Sequence, residues 1–478
     1  MTAAAIRLLA KKDAVELRRD RRLALAVAVT LLLALAAVVA TYVRVADYQR
    51  DRAAAAAMER ESWLNQGSRD PHSAAHFAQW AFRPVTAPAL LDPGTLTHAG
   101  SAIWMEAHAR NPAAFRAAED RVGVLDLGEF SAAWVLQTLS TLLVLVLAAG
   151  AVARERERGT LPLLLASGAP PATLVRAKAG ALARTAAVIV APLLLVAAVA
   201  VVLAPGRTSG DEIARAALWC LAHAALLGVT VLVGVAVSAR SRSTAAALAA
   251  AIGLWVVAVP LAPRAAASLA EALHPTPSGE RFWAAAQKEI YGGFDGSGTA
   301  EERGAALKAD LLRRYGVARA EDLPISFRGA NLDAGERFGN RVFERRWAML
   351  HAVEDRQRAA MRWGSLLTPV IAAQNVSAAL AGTDNLHARD FAAQAEAERQ
   401  RVVNGLNRDV MINGVGRPGY KADARLWRSF GPFEPRPVPV ARAIRQVWPD
   451  LLILAAWLVA AGLLVRGAGR ALAREFGR

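Results

Sequence analysis

Five stretches of this chain run the length of a membrane without one charged side chain: Leu23–Val43, Phe130–Ala153, Thr185–Gly206, Ala216–Ala239 and Ser243–Pro263. A hydrocarbon core about 30 Å thick takes roughly 20 apolar residues in helical form. Inside it no water satisfies backbone N–H and C=O groups, so a spanning segment must be a helix or part of a closed barrel. A sixth stretch, Leu451–Val465, is shorter. Begun at Val447 it reaches spanning length, with Pro449 in the first turn, where a missing N–H costs nothing. Trp448 and Trp457 suit a helix anchored at an interface. The expected fold is an all-α integral membrane protein with six transmembrane helices.

Composition agrees. The chain is 54% hydrophobic although 21% of it is charged, and its mean hydropathy is +0.26, so the apolar residues are gathered into blocks. The net charge of +16 raises nucleic-acid binding. Much of the basic charge flanks the apolar blocks instead, where it sets topology, and no nucleic-acid motif accompanies it. A single cysteine, Cys220, excludes a disulfide framework. The first apolar block is too long for a removable signal peptide and lacks a small-residue cleavage site, so it is expected to stay as a helix. An Arg- and Ala-rich chain of this kind points to a bacterial inner membrane.

Short basic flanks give an orientation. They are the stretch with Arg7, Lys11, Lys12, Arg18, Arg19, Arg21 and Arg22; Arg154 to Arg184; Arg240 and Arg242; and Arg466 to Arg478. All fall on one side of an alternating topology, which is then cytoplasmic, with both termini inside. The expected layout is a cytoplasmic amphipathic helix over 1–22, spans at 23–43, 130–153, 185–206, 216–239, 243–263 and 447–465, and a cytoplasmic tail at 466–478. A cytoplasmic loop occupies 154–184, with a smaller periplasmic segment at 44–129 and a larger one, mainly helical, at 264–446. In the larger one, helical patterns run near 279–292, 301–316, 334–363 and 385–410, and no strand alternation is sustained. The third of these reads as a continuation of the membrane bundle.

Three groups of residues bear on function. The loop Arg154-Glu155-Arg156-Glu157-Arg158-Gly159-Thr160-Leu161-Pro162-Leu163-Leu164-Leu165 joins a charged cluster to an apolar turn, with Lys178 downstream. It reads equally as an amphipathic element able to enter a neighbouring protein's groove and as a solvated loop. His72 and His76 are four apart, so on a helix they share a face; His98, Glu106 and His108 could complete a metal site. The plainer alternative is that these histidines cap and pack an extracytoplasmic fold. His223 lies inside a span, where an ionisable group is costly and often functional, although a hydrogen bond to a helix carbonyl would also account for it. The chain has no Gly-x-x-x-x-Gly-Lys-Ser/Thr loop to cradle a nucleotide.

The 154–178 loop, with its charged run, Gly159-Thr160-Leu161 and the downstream Lys178, resembles the coupling-helix loop of ABC-2 type transporter permeases. Asp70 to His76, Leu91 to Gly94, Glu106 to His108 and Ala381 to Asp384 resemble a subfamily known only as a domain of unknown function. The resemblance implies a non-catalytic permease subunit of an ATP-driven exporter that works with a separate ABC ATPase and a second permease copy or related permease. ATP and Mg would sit on the ATPase, with no cofactor in this chain. Glu155, Glu157, Gly159, Thr160, Leu161, Leu163, Leu164 and Lys178 would form the ATPase-coupling surface and His223 would face the substrate path. Mechanotransmission to periplasmic partners without a pore, and a membrane-anchored metal-handling module, are the alternatives.

Overall fold

The computed structural model describes Lys12, Val15 and residues 21–77, 79–116, 130–204 and 208–476. The helix expected over 1–22 therefore lies almost wholly outside the described residues. Six helical stretches are long and apolar enough to cross a membrane: Ala24–Leu64, Ala132–Glu157, Pro171–Val202, Gly210–Arg240, Thr244–Leu273 and Val440–Glu475. Each contains or overlaps one expected span. The structure is 76% helical with almost no sheet, consistent with an all-α membrane protein.

The helices run further than the apolar blocks. Helix α1 (Arg21–Leu64) continues about six turns past Val43. Charge ends a membrane span but not a helix, and Ala53 to Ala57 keep the propensity high. After α2 (Pro71–His76) come two strands, β1 (Gln79–Phe82) and β2 (Ala102–Met105), paired antiparallel with Trp80 opposite Trp104. Sequence periodicity misses this ribbon because four residues are too few to show alternation.

The second span is built from α3 (Ala132–Trp134), a π-helical segment (Val135–Ser140) and α4 (Thr141–Ala149). Then follow α5 (Ala153–Glu157), α6 (Thr160–Ala166), α7 (Pro171–Val202), α8 (Gly210–Arg240) and α9 (Thr244–Val256). A second π segment, Val257–Leu261, holds Pro260 and leads into α10 (Ala262–Leu273). Pro260 has no N–H to donate, and the wider register tolerates its ring. Both π segments leave carbonyls to be satisfied from outside. Trp255 Nε1–H donates to the Thr138 carbonyl at 3.1 Å, and Thr368 Oγ1–H to the Ala258 carbonyl at 2.9 Å.

The segment after α10 carries α11 (Gly279–Gly292), α12 (Ala300–Tyr315), α13 (Phe327–Gly364), α14 (Pro369–Ala381), α15 (Asn385–Asn413) and α16 (Ala424–Ser429), before α17 (Val440–Glu475). Helix α14 is not among the expected patterns. It is mostly apolar, with Gln374, Asn375 and Ser377 as its polar residues, is buried from Val370 to Ala373, and packs against α8 and α17. The turn before it is tied to the bundle at its two buried ends, with Leu366 and Leu367 exposed between them: Thr368 bonds Ala258, and the Ser365 carbonyl accepts from Trp457 Nε1 at 2.8 Å. Asp450, wholly buried in α17, is held there by Arg362 Nη2 at 2.9 Å and Asn375 Nδ2 at 2.9 Å. The 264–446 segment thus sends a helical turn back among the spans.

Candidate functional site

Residues from four parts of the chain meet at one end of the bundle. Ser238 Oγ accepts from the Val152 and Ala153 N–H groups at 3.0 Å each and donates to the Ala149 carbonyl at 2.7 Å, fixing the corner between α4 and α5. Arg156 reaches the Ser241 and Ala239 carbonyls and Glu475 Oε2, tying α5 to the ends of α8 and α17. Helix α17 lies close on α7 there: a Cβ on Gly469 would come within 2.6 Å of Ala172 Cα, so that position must be glycine.

Within this corner Glu155 is buried, and its carboxylate is the centre of the loop. Oε1 accepts from Lys178 Nζ and from Lys12 Nζ, each at 3.0 Å, and Oε2 accepts from the Thr160 hydroxyl. Lys178 is as deeply enclosed, with 5% of its side chain exposed. Gly159 stands at φ 70°, ψ 10°, a left-handed link between α5 and α6 that a side chain would strain. Glu157 is exposed and accepts from the Thr244 N–H at 3.2 Å, adding to the Ser243 cap of α9. Both carboxylates that the resemblance assigns to the coupling surface are therefore engaged within the chain. Glu155 with Lys178 and Thr160 clamps α6 from inside.

The seven residues of α6 divide by face. Leu161 and Leu165 are buried at 0% and 2% exposure and seat the helix on the bundle, while Leu163 is 70% exposed. Leu164 is half-buried between them, and Pro162 and Ala166 join Leu163 on the outer face. Of the leucines read from the sequence as coupling residues, Leu161 faces inward and Leu163 outward.

His223 is buried, and both its ring nitrogens are engaged. Nδ1 lies 2.9 Å from the Trp219 carbonyl and Nε2 3.1 Å from Gln137 Nε2, with the Trp219 ring stacked 3.9 Å away between centroids. Trp219 Nε1–H donates on to Ser377 Oγ at 2.8 Å, and the Ser377 hydroxyl to Asp92 Oδ2 at 2.5 Å. A polar line thus crosses from the first π segment through α8 and α14 to Leu91–Gly94. Sequence reading misses Asp92 and Ser377 as its members because the links join residues 158 and 285 apart.

At the opposite end, His72, His76 and His108 come together, each offering a ring nitrogen within 4.8 Å of the others. His98 lies in a separate cleft with Arg110 and Trp347. Glu106 accepts instead from Asn111 Nδ2 at 2.9 Å. Two residues absent from the sequence reading complete the surroundings. Glu336 lies 2.6 Å from His108 Nδ1, and Asn407 Oδ1 lies 2.9 Å from His72 Nδ1. Burial pushes the Glu336 carboxyl up, but the His108 bonds and the Arg399 charge outweigh it and hold it below the usual range. No spacing rule joins His108 to a residue 228 positions away.

Among known proteins, residues 279–436, about a third of the 478, match the family model of DUF3526, a domain of unknown function. That stretch takes in Glu336, Asn407 and Ala381 to Asp384 but none of the 154–178 loop, and no curated protein matches the chain.

Proposed function

We propose that this chain is the membrane-spanning permease subunit of an ATP-driven ABC exporter, receiving force from a separate ATPase at the outer face of α6. The observation that carries the reading is the division of that helix. Leu161 and Leu165 lock it to the bundle, the Glu155–Lys178 clamp braces its start, and Leu163 is left 70% exposed on a rigid mount. A solvated loop needs no such bracing. Motion imposed on Leu163 would pass through α5 and Arg156 directly into α8 and α17. The basic flanks at this end make it the cytoplasmic one, and the 264–446 segment then lies on the outer side, apart from the turn at 365–368. A second copy or a related permease would complete the assembly. Exporter action across a bacterial inner membrane, rather than a pore-free relay, is the first reading; the length of α1 keeps the relay as the second.

Leu163→Asp tests the docking face. Because the side chain is exposed, the variant should insert and unfold as wild type does. A carboxylate forced into an apolar interface without a partner costs about 1–3 kcal/mol, so affinity for the ATPase should fall roughly ten- to a hundred-fold, with ATPase stimulation in proteoliposomes falling alongside. Wild-type affinity would make the outer face of α6 ordinary surface and end the coupling assignment.

Orientation is tested separately. In a Cys220→Ser background, a cysteine at exposed Ser297 should react with an impermeant thiol reagent in intact spheroplasts, while one at exposed Ser167 should react only after lysis. The reverse pattern overturns the topology.

A further inference from the structure

The three histidines that meet at the end of the bundle opposite α6 are arranged as ligands. Their ring centroids form a nearly equilateral triangle, 5.0, 5.1 and 5.2 Å on a side. His72 and His76 sit one turn apart on α2, which Asp70 starts by accepting from the Ser73 N–H and which Arg328 pins through the same carboxylate. His108 arrives from the loop after β2 in a left-handed conformation, φ 64°, that histidine seldom adopts. One carboxylate oxygen holds it there: Glu336 Oε1 accepts from the His108 backbone N–H at 2.7 Å and lies 2.6 Å from Nδ1.

Those outer contacts decide where the ring protons sit. Glu336 Oε1, which already accepts from the His108 backbone N–H, lies 2.6 Å from Nδ1 and takes the ring proton there as acceptor, so Nε2 carries a lone pair. Asn407 Oδ1 beside His72 Nδ1 places that proton likewise, leaving a second lone pair on His72 Nε2. With both protons on Nδ1, the two Nε2 atoms, which face each other at 3.3 Å, have no proton between them. Two lone pairs at that distance repel unless a cation stands beside both. Zn–N bonds of about 2.0–2.1 Å at tetrahedral angles set an N···N edge of about 3.3–3.4 Å, which is the separation found.

We propose that His72, His76 and His108 bind one divalent zinc-class cation through three neutral imidazoles, with Glu336 and Asn407 as the groups that orient them. Imidazole nitrogens suit zinc and its neighbours rather than magnesium or calcium, which take oxygen ligands. Nearby carboxylates are already engaged: Glu336 with His108 and Arg399, Asp70 with Ser73 and Arg328. The ligand set is therefore three nitrogens, and the exposed side of His76 and His108 leaves a fourth position to water or an incoming ligand. A closed structural site would fill that position from the protein. The inference rests on the histidine cluster alone and stands or falls independently of the permease reading.

The rival arrangement is specific. Turning the Asn407 amide over would move the His72 proton to Nε2 and make a plain His72–His108 hydrogen bond without any cation. The test is zinc titration of the full-length, tag-free chain in detergent, by calorimetry and by shift of the unfolding temperature, with magnesium as control. One equivalent of zinc should bind and stabilise the protein. Exposed His76→Ala should keep the fold and weaken binding at least about tenfold, and Glu336→Gln should weaken it about 10–100-fold. His98→Ala should leave binding unchanged. No stoichiometric zinc, or binding that survives His76→Ala, overturns the proposal and leaves the hydrogen-bonded pair in its place.

Discussion

Glu155→Ala should destabilise the bundle by about 3–5 kcal/mol, because it removes the carboxylate from a buried ion pair and the acceptor shared by Lys178, Lys12 and Thr160. Lys178 has 5% of its side chain exposed and Glu155 9%. The loss should be read as a lower midpoint in denaturant unfolding of the detergent-solubilised chain, together with new protease cleavage around Gly159. The double variant Glu155→Leu/Lys178→Met supplies the diagnostic arm. An apolar pair of similar volume avoids the desolvation cost altogether, so it should recover most of the lost stability. A single variant costing less than about 1 kcal/mol, or a double variant no better than the single, would show that the clamp is solvated and α6 is not braced by it.

Trp427→Ala should cost about 3–5 kcal/mol, the range for removing a large buried aromatic. Trp427 is completely buried, edge-on to Trp63 with ring centroids 5.8 Å apart, and its indole N–H donates to the Gly67 carbonyl at 2.8 Å. Trp63 Nε1–H donates in return to the Trp427 carbonyl at 2.9 Å. The substitution therefore opens a cavity and frees the end of α1 together. Limited proteolysis should show new cleavage between Leu64 and Asp70, with the apolar spans still protected. Unchanged protection there would mean that α1 is held by something other than this aromatic contact.

How far the sequence reveals this molecule depends on the range of the interaction involved. The spans were legible because each is a local run of apolar side chains. The patterns at 279–292, 301–316 and 385–410 were legible because period and capping residues are local too, as with Thr299 and Glu302 at the start of α12. Helix α14 escaped because it is mostly apolar yet too short to cross a membrane, and its three polar residues, Gln374, Asn375 and Ser377, are too few to mark an amphipathic face. The loop could be recognised as a unit, but not the division of its leucines, since which face is buried depends on the helices beneath. The histidine pair at i and i+4 was visible. His108 was among the candidates to complete it, but the groups that orient the three rings were not visible, because the fold alone brings Glu336 and Asn407 beside α2.

Helix α1 has a mechanical consequence. Forty-four residues at about 1.5 Å each make a rod of about 66 Å, roughly twice the hydrocarbon thickness. No proline or glycine interrupts it between Arg21 and Leu64, so it has none of the usual places to bend. A rod pivoting near one membrane face amplifies angle into distance: a tilt of about 10° carries the far tip on the order of 10 Å. The tip, at Trp63, is bolted to the 427–430 segment, which the non-helical stretch 431–439 joins to the final span. Such a displacement is passed at the tip to the 427–430 segment and to the helices packed on it, so the far end of the first span moves with the chain that enters the last.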